Sequence, residues 1–183
     1  MGALFAVAIG CQAKLGGTSN TAGSSATSES SKASHPGGDH AKLNAEMKAA
    51  GVSAEQRAGV IKIIERDVKK WDALVVAECG VSIAVGIEFE QFVGKTPDVS
   101  QAMYSCVRVL EGIRNVCSEG DVFKAEVAEK VKQVRCWYEE SEEFARTSLA
   151  SFALEGGTMR MGFGGKTPTN IMTSTQKFLR KSL

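Results

Sequence analysis

Apolar residues recur at two spacings along residues 41–183, and each change of spacing marks a new element. Ala41 to Ala50 reads as a short helix closed by Gly51, and Ser53-Ala-Glu-Gln56 reads as a capping box opening the next helix. That helix runs to about Ala77, because Val60, Ile64, Val68, Trp71 and Val75 fall on one stripe. The period then drops to two. Val81, Ile83, Val85, Ile87 and Phe89 alternate with Ser82, Ala84, Gly86, Glu88 and Glu90, which predicts a strand over 81–92. Helical spacing returns with Met103, Cys106, Val107, Leu110, Ile113 and Cys117, ended by Ser118-Glu-Gly120. Asp121 can cap a following helix whose stripe is Phe123, Val127, Val131, Val134 and Tyr138. Period two resumes over 149–155 and 158–163, joined by Gly156-Gly157. A two-residue hairpin there pairs Leu154 with Met159, Phe152 with Met161 and Ala150 with Phe163. Thr169 to about Lys181 is a last helix.

The predicted order is α-α-β-α-α-β-β-α. The fold class is α+β: a small antiparallel sheet of about three strands (81–92, 149–155, 158–163) with helices packed on one face. The opposite sheet face would carry small side chains, Ser82, Ala84, Gly86, Ser151, Ala153 and Gly162. Such a face admits another backbone or a flat partner. With Glu88, Glu90 and Arg160 it forms the candidate binding face. Glu88 and Glu90, about 7 Å apart on one strand face, are the one carboxylate pair that a surface enzyme could use.

Two segments, "FVGKTP" at 92–97 and "FGGKTP" at 163–168, carry the Gly-Lys-Thr of phosphate-binding loops. The full loop needs an earlier Gly, but that place holds Phe89 in the first copy and Arg160 in the second. Pro follows Thr in both, and only a short tail follows the second, so nucleotide binding is excluded. The segments read instead as strand-to-helix turns, with Thr as cap and Pro at the first helical position. "GIEFEQFVGKTP" and "GTMRMGFGGKTP" align without gaps, which raises an internal duplication.

The N-terminal region has a different composition. Ala3 to Ile9 is a short apolar run, and Ala8-Ile9-Gly10-Cys11 resembles the lipobox of bacterial lipoproteins. The resemblance implies a signal segment over 1–10, lipidation at Cys11 and attachment to a membrane through that lipid. Gly16 to Asp39 is rich in Ser, Thr, Gly and Ala and has no large apolar residue, so 11–40 is expected to be a flexible tether. Residues 41–183 would then form a single domain.

Four cysteines remain beyond Cys11: Cys79, Cys106, Cys117 and Cys136. Cys106 and Cys117 share one predicted helix and sit roughly 16 Å apart along it, too far to bond to each other. If the next helix folds back, Cys106 lies level with Cys136, which leaves Cys79 with Cys117. Against this, Cys136 sits opposite the apolar stripe of its own predicted helix. Reduced thiols are the other reading. No Cys-x-x-Cys occurs, so no zinc or redox motif is indicated.

The chain has 183 residues, 22 basic and 21 acidic, with a formal net charge of +1, so no field of one sign would steer it to nucleic acid. The two histidines, His35 and His40, lie with Asp39 in "HPGGDH" within the tether, where geometry cannot be held for a metal. No histidine is left in the domain for Ser-His or Cys-His chemistry. The acidic run Glu139–Glu143 reads as a solvated helix face, and "KFLRKSL" as an ordinary final helix. The expected function is an exported, lipid-anchored cell-envelope protein acting as a non-enzymatic module that binds a protein or a small ligand, without cofactor, catalytic residues or metal. A cell-envelope enzyme using surface carboxylates and an intracellular protein with reduced thiols are the alternatives.

Overall fold

A computed structural model describes residues 40–183. The signal-like segment, Cys11 and nearly all of the tether lie outside the described residues. The chain enters with α1 (His40–Ala49), which stops at Gly51 in the left-handed region, φ 82°. Ser53 caps α2 (Ala54–Ile63), its hydroxyl accepting from the Gln56 N–H at 3.3 Å. A π-helical turn, Ile64–Val68, carries α2 into α3 (Lys69–Cys79) without a break. The wider turn makes the buried stripe advance by four residues at each step, through Val60, Ile64 and Val68 to Asp72. Asp72, not Trp71, therefore continues the stripe. Its buried carboxylate is used: Oδ1 accepts from the Ser82 hydroxyl at 2.8 Å and the Ile83 N–H at 3.1 Å, pinning the chain where it enters the sheet.

Strand β1 is Ala84–Ile87, shorter than the predicted 81–92. The alternation breaks because Phe89–Phe92 forms a one-turn helix, α4. A strand would turn Phe89 and Phe92 to opposite faces, whereas a helical turn sets both against the core, with Phe92 fully buried. The long helix α5 (Val99–Cys117) follows. Asp98 caps it and forms a reciprocal box with Gln101, so the cap is Asp98 and not the expected Thr96. Helices α2, α3, α6 and α8 pack around α5, and strands β1 and β2 lie against it, so it is buried on most of its surface.

The largest departure from expectation lies at 121–138. The helix there, α6 (Asp121–Lys130), ends eight residues early, and Gln133–Tyr138 is a strand, β2. After α7 (Glu142–Arg146) come β3 (Ser151–Glu155) and β4 (Thr158–Phe163), and α8 (Ile171–Ser182) closes the chain. The sheet has four strands in the order β1-β2-β4-β3. β2 runs parallel to both β1 and β4, and only the β3–β4 pair is antiparallel. The sheet is therefore mixed, not antiparallel, and its unforeseen strand is an inner one. The hairpin keeps its expected register, Leu154 with Met159 and Phe152 with Met161. Gly156 and Gly157, at φ 55° and 80°, supply the two positive dihedrals that such a turn demands.

Two disulfides join these layers. Cys79 at the end of α3 bonds Cys117 at the end of α5, with Cα atoms 5.4 Å apart. Cys106 in the middle of α5 bonds Cys136 on β2, with Cα atoms 5.9 Å apart. The objection that Cys136 faces away from its helix disappears once the segment is a strand, where Val134 and Cys136 alternate inward. Two formed disulfides suggest a non-reducing compartment. No helix among the described residues is long and apolar enough to cross a membrane.

The two Gly-Lys-Thr-Pro segments sit in different settings. The first leaves the short helix α4 and passes a cis Thr96–Pro97 bond into a capped helix. The second leaves strand β4 and enters α8 through Asn170, with neither Thr167 as cap nor Pro168 as first helical residue. Gly86 lies in a strand and Gly157 in a hairpin turn. With unrelated settings, the duplication is withdrawn. The segments do meet in space: the Phe92 and Phe163 rings are 5.5 Å apart, and Tyr138 lies between the two turns. The Tyr138 ring takes Phe92 edge-on and Lys95 over its face, and its hydroxyl accepts from the Gly165 N–H.

Candidate functional site

The inner sheet face carries Ile87, Val134, Cys136, Met159, Met161 and Phe163, all buried beneath the helices. Strand alternation sends the intervening residues to the other side. Register aligns them in rows. Gly86, Arg135, Arg160 and Ala153 form one row, and Trp137, Gly162 and Ser151 form the next. Ala84, Arg135 and Arg160 are exposed, so the centre of this face is open.

The expected small residues are here, but they do not leave the face bare. A Cβ on Gly162 would fall 2.4 Å from the Trp137 ring, so the glycine is what lets the indole lie down on the sheet. Gly86 lies under the Arg135 side chain, where a Cβ would meet a guanidinium nitrogen at 3.5 Å. The Arg160 guanidinium carbon sits 4.8 Å from the centre of the Trp137 ring, a cation–π contact. Beside them, the Gln133 side-chain amide donates to the Thr158 hydroxyl at 2.7 Å.

Arg135 and Arg160 occupy directly paired positions on neighbouring strands. Like charges opposite one another cost stability. Neither arginine forms an ion pair with a carboxylate among the described residues. Some cations elsewhere are matched, among them Lys95 with Glu140 at 3.3 Å, Arg66 with Asp67, and Arg180 in a two-pronged contact with Glu119. The hydrogen bonds from Arg180 hold the Glu119 carboxyl below the usual carboxylate range.

The remaining candidates fall elsewhere. Ser82 is not on the open face, because its hydroxyl is bonded to Asp72. Glu88 is the cap position of α4 and Glu90 lies within it, so they are not neighbours on a strand face. Both instead line, with Gln91 and Arg135, a cavity of about 230 Å³ at the rim of the sheet. The acidic run is divided: Glu140 pairs with Lys95, and Glu142 and Glu143 form the first turn of α7 behind its cap Ser141. His40 opens α1 and lies 3.4 Å from Glu65. Among the described residues no group of three or more His, Cys, Asp or Glu side chains could hold a metal ion.

Arg135 and Trp137 were absent from the expected face because their segment read as helix. The signal that marks them is the short alternation of Val134, Cys136 and Tyr138 with Arg135 and Trp137, two aromatic residues and a β-branched one in six. No family model matches the chain, no curated protein matches it, and no solved structure matches its fold.

Proposed function

We propose that the protein is an exported binding module, anchored to the cell envelope through lipid on Cys11, that takes an acidic partner on its open sheet face. The observation that carries the reading is the Arg135–Arg160 pair. Two cations held side by side without carboxylate partners retain their attraction for an anion, and the fold tolerates their repulsion. Trp137 adds a flat apolar surface next to them, and aromatic residues with arginine are the usual energetic centres of interfaces. Two disulfides that tie α5 to α3 and to an inner strand favour an oxidising location. For the carboxylate-enzyme alternative, Glu88 and Glu90 share no strand face but line one cavity of about 230 Å³ at the sheet rim.

Two measurements test this. Intact-mass analysis of protein from its native host should show a chain beginning at an acylated Cys11 with two disulfides, and Cys11→Ser should leave the membrane fraction. An unmodified chain with Met1 and free thiols would overturn the location. For the face, titration of a poly-glutamate peptide into Trp71→Phe protein should change the fluorescence of the remaining Trp137. The Arg135→Gln/Arg160→Gln double variant should bind at least about tenfold more weakly, the scale of one lost charge-assisted contact. Equal binding by the double variant would remove the face from the function.

A further inference from the structure

Strand β1 stands at an edge of the sheet, with β2 as its neighbour on one side only. Alternate residues hold that neighbour. The Ala84 N–H donates to the Lys132 carbonyl at 3.3 Å, and the Glu88 N–H donates to the Cys136 carbonyl at 2.9 Å. By the same alternation Gly86 faces β2, while Val85 and Ile87 turn their N–H and C=O groups outward. No hydrogen bond reaches these outward groups among the described residues. Unpaired groups along an edge are a template for another strand. Ala84–Ile87 carries no charge, proline or bulge of the kind that discourages one.

Two further observations bear on what fits there. A cavity of about 200 Å³ lies beside β1 and is lined by all four residues of the strand. Leu43 of α1, Ile64 and Met103 give it an apolar wall on the side of the helices. Glu46, the one carboxylate among its walls, lies 4.0 Å from the Lys42 ammonium. The other observation is Arg135. Its guanidinium lies over Gly86, where a Cβ would meet one of its nitrogens at 3.5 Å. The side chain starts on β2 and so reaches across β1 toward the free edge, and Arg135 lines the cavity there as well. A strand added about 4.8 Å beyond β1 would set the residue beside Gly86 on the same face as this guanidinium. The two residues flanking it would share the face of Val85 and Ile87, toward the apolar wall.

We infer that an extended peptide segment of the partner adds to the sheet along β1, with one acidic residue at Arg135 between two apolar ones. The inference rests on the acidic partner proposed above and specifies how that partner is held. Main-chain bonds to Val85 and Ile87 supply affinity, and the alternating side chains supply selection. Arg135 has no ion pair with a carboxylate of its own chain among the described residues, so its charge is available to the segment. Glu88 lies two residues beyond Gly86 on the same face and repels a second acid there, which fixes the register.

The test uses full-length Cys11→Ser protein, backbone-amide NMR and a capped pentapeptide of threonine, valine, glutamate, valine and threonine. Titration should shift the Val85 and Ile87 amides along one saturable curve and slow their hydrogen exchange at least about tenfold at saturation. Arg135→Gln should bind this peptide at least about tenfold more weakly, and should bind the glutamine version of it as the parent does. Val85→Pro removes an outward N–H and leaves the ladder to β2 intact, so it should fold and lose binding. Peptides N-methylated on alternate residues make the same test without altering the protein. Methylation of one set should abolish binding and methylation of the other should spare it, the valine set marking an antiparallel strand and the other set a parallel one. Equal response to both sets overturns the added strand. Protection of Val85 and Ile87 without peptide also overturns it. Such protection assigns the edge to a second copy if it rises with protein concentration, and to the chain before His40 if it does not. Unmoved Val85 and Ile87 amides, with the poly-glutamate response of Trp137 intact, overturn the strand alone. Loss of both responses removes the acidic partner as well.

Discussion

Reduction of the Cys79–Cys117 bond, or its replacement by Cys79→Ser with Cys117→Ser, is expected to lower the stability of the protein by about 4 kcal/mol. The bond closes a loop with a sequence separation of 38 residues, and the entropy such a loop denies to the unfolded chain sets that scale. For a domain of this size the loss corresponds to a fall in melting temperature of about 10–15 °C. The Cys106–Cys136 bond, with a separation of 30, is expected to contribute nearly as much. The two loops overlap between Cys106 and Cys117, so losing both costs less than the sum. All four cysteines are buried, so reductant should act slowly on the folded protein and quickly once denaturant opens it. Thermal melts of oxidised, singly bridged and reduced protein give the comparison. Coincident melts would show that the bridges close on a structure already held by its core.

Phe163→Ala is expected to cost about 3–5 kcal/mol, the range for deleting a buried aromatic ring. Phe163 has no exposed surface, and its ring lies 5.5 Å from the equally buried Phe92. It also pairs across the ladder with Tyr138, which holds the turn after β4 through the Gly165 N–H. The alanine therefore empties the junction where α4, β2 and β4 meet. Phe163→Leu keeps most of the volume and should cost less than half as much. Urea unfolding of the three proteins measures both. A loss below about 1 kcal/mol for the alanine would mean that the site collapses to fill the space.

What could be read from the chain and what could not divides along a physical line. The stripe of α5, most of that of α2 and the hairpin register around Gly156-Gly157 rest on neighbours close in sequence, and all were legible; for the cysteines, helical rise excluded Cys106–Cys117, while the pairing itself was reached with Cys136 placed on a helix that is a strand. The strand β2 was not. Val127, Val131, Val134 and Tyr138 satisfy helical spacing as well as Val134, Cys136 and Tyr138 satisfy alternation. Tertiary pairing with β1 and β4, both distant in sequence, decides between them. Missing β2 hid half of the open face, since Arg160 was in view while Arg135 and Trp137 were assigned to a helix.

The placing of β2 inside the sheet also orders events in time. β1 has no strand partner until the chain has been made as far as Tyr138, and β2 itself gains its second neighbour only with Thr158–Phe163. The hairpin β3–β4, near the C-terminal end, is the one strand pair formed by adjacent segments. A chain emerging N-terminus first, from a ribosome or through a membrane pore, thus displays a helical bundle without a sheet for most of its passage. Cys106 meanwhile waits for a partner that has not yet appeared. Closure of the sheet is thus a long-range pairing of the kind that slows folding, and it has to wait until nearly all of the chain has emerged.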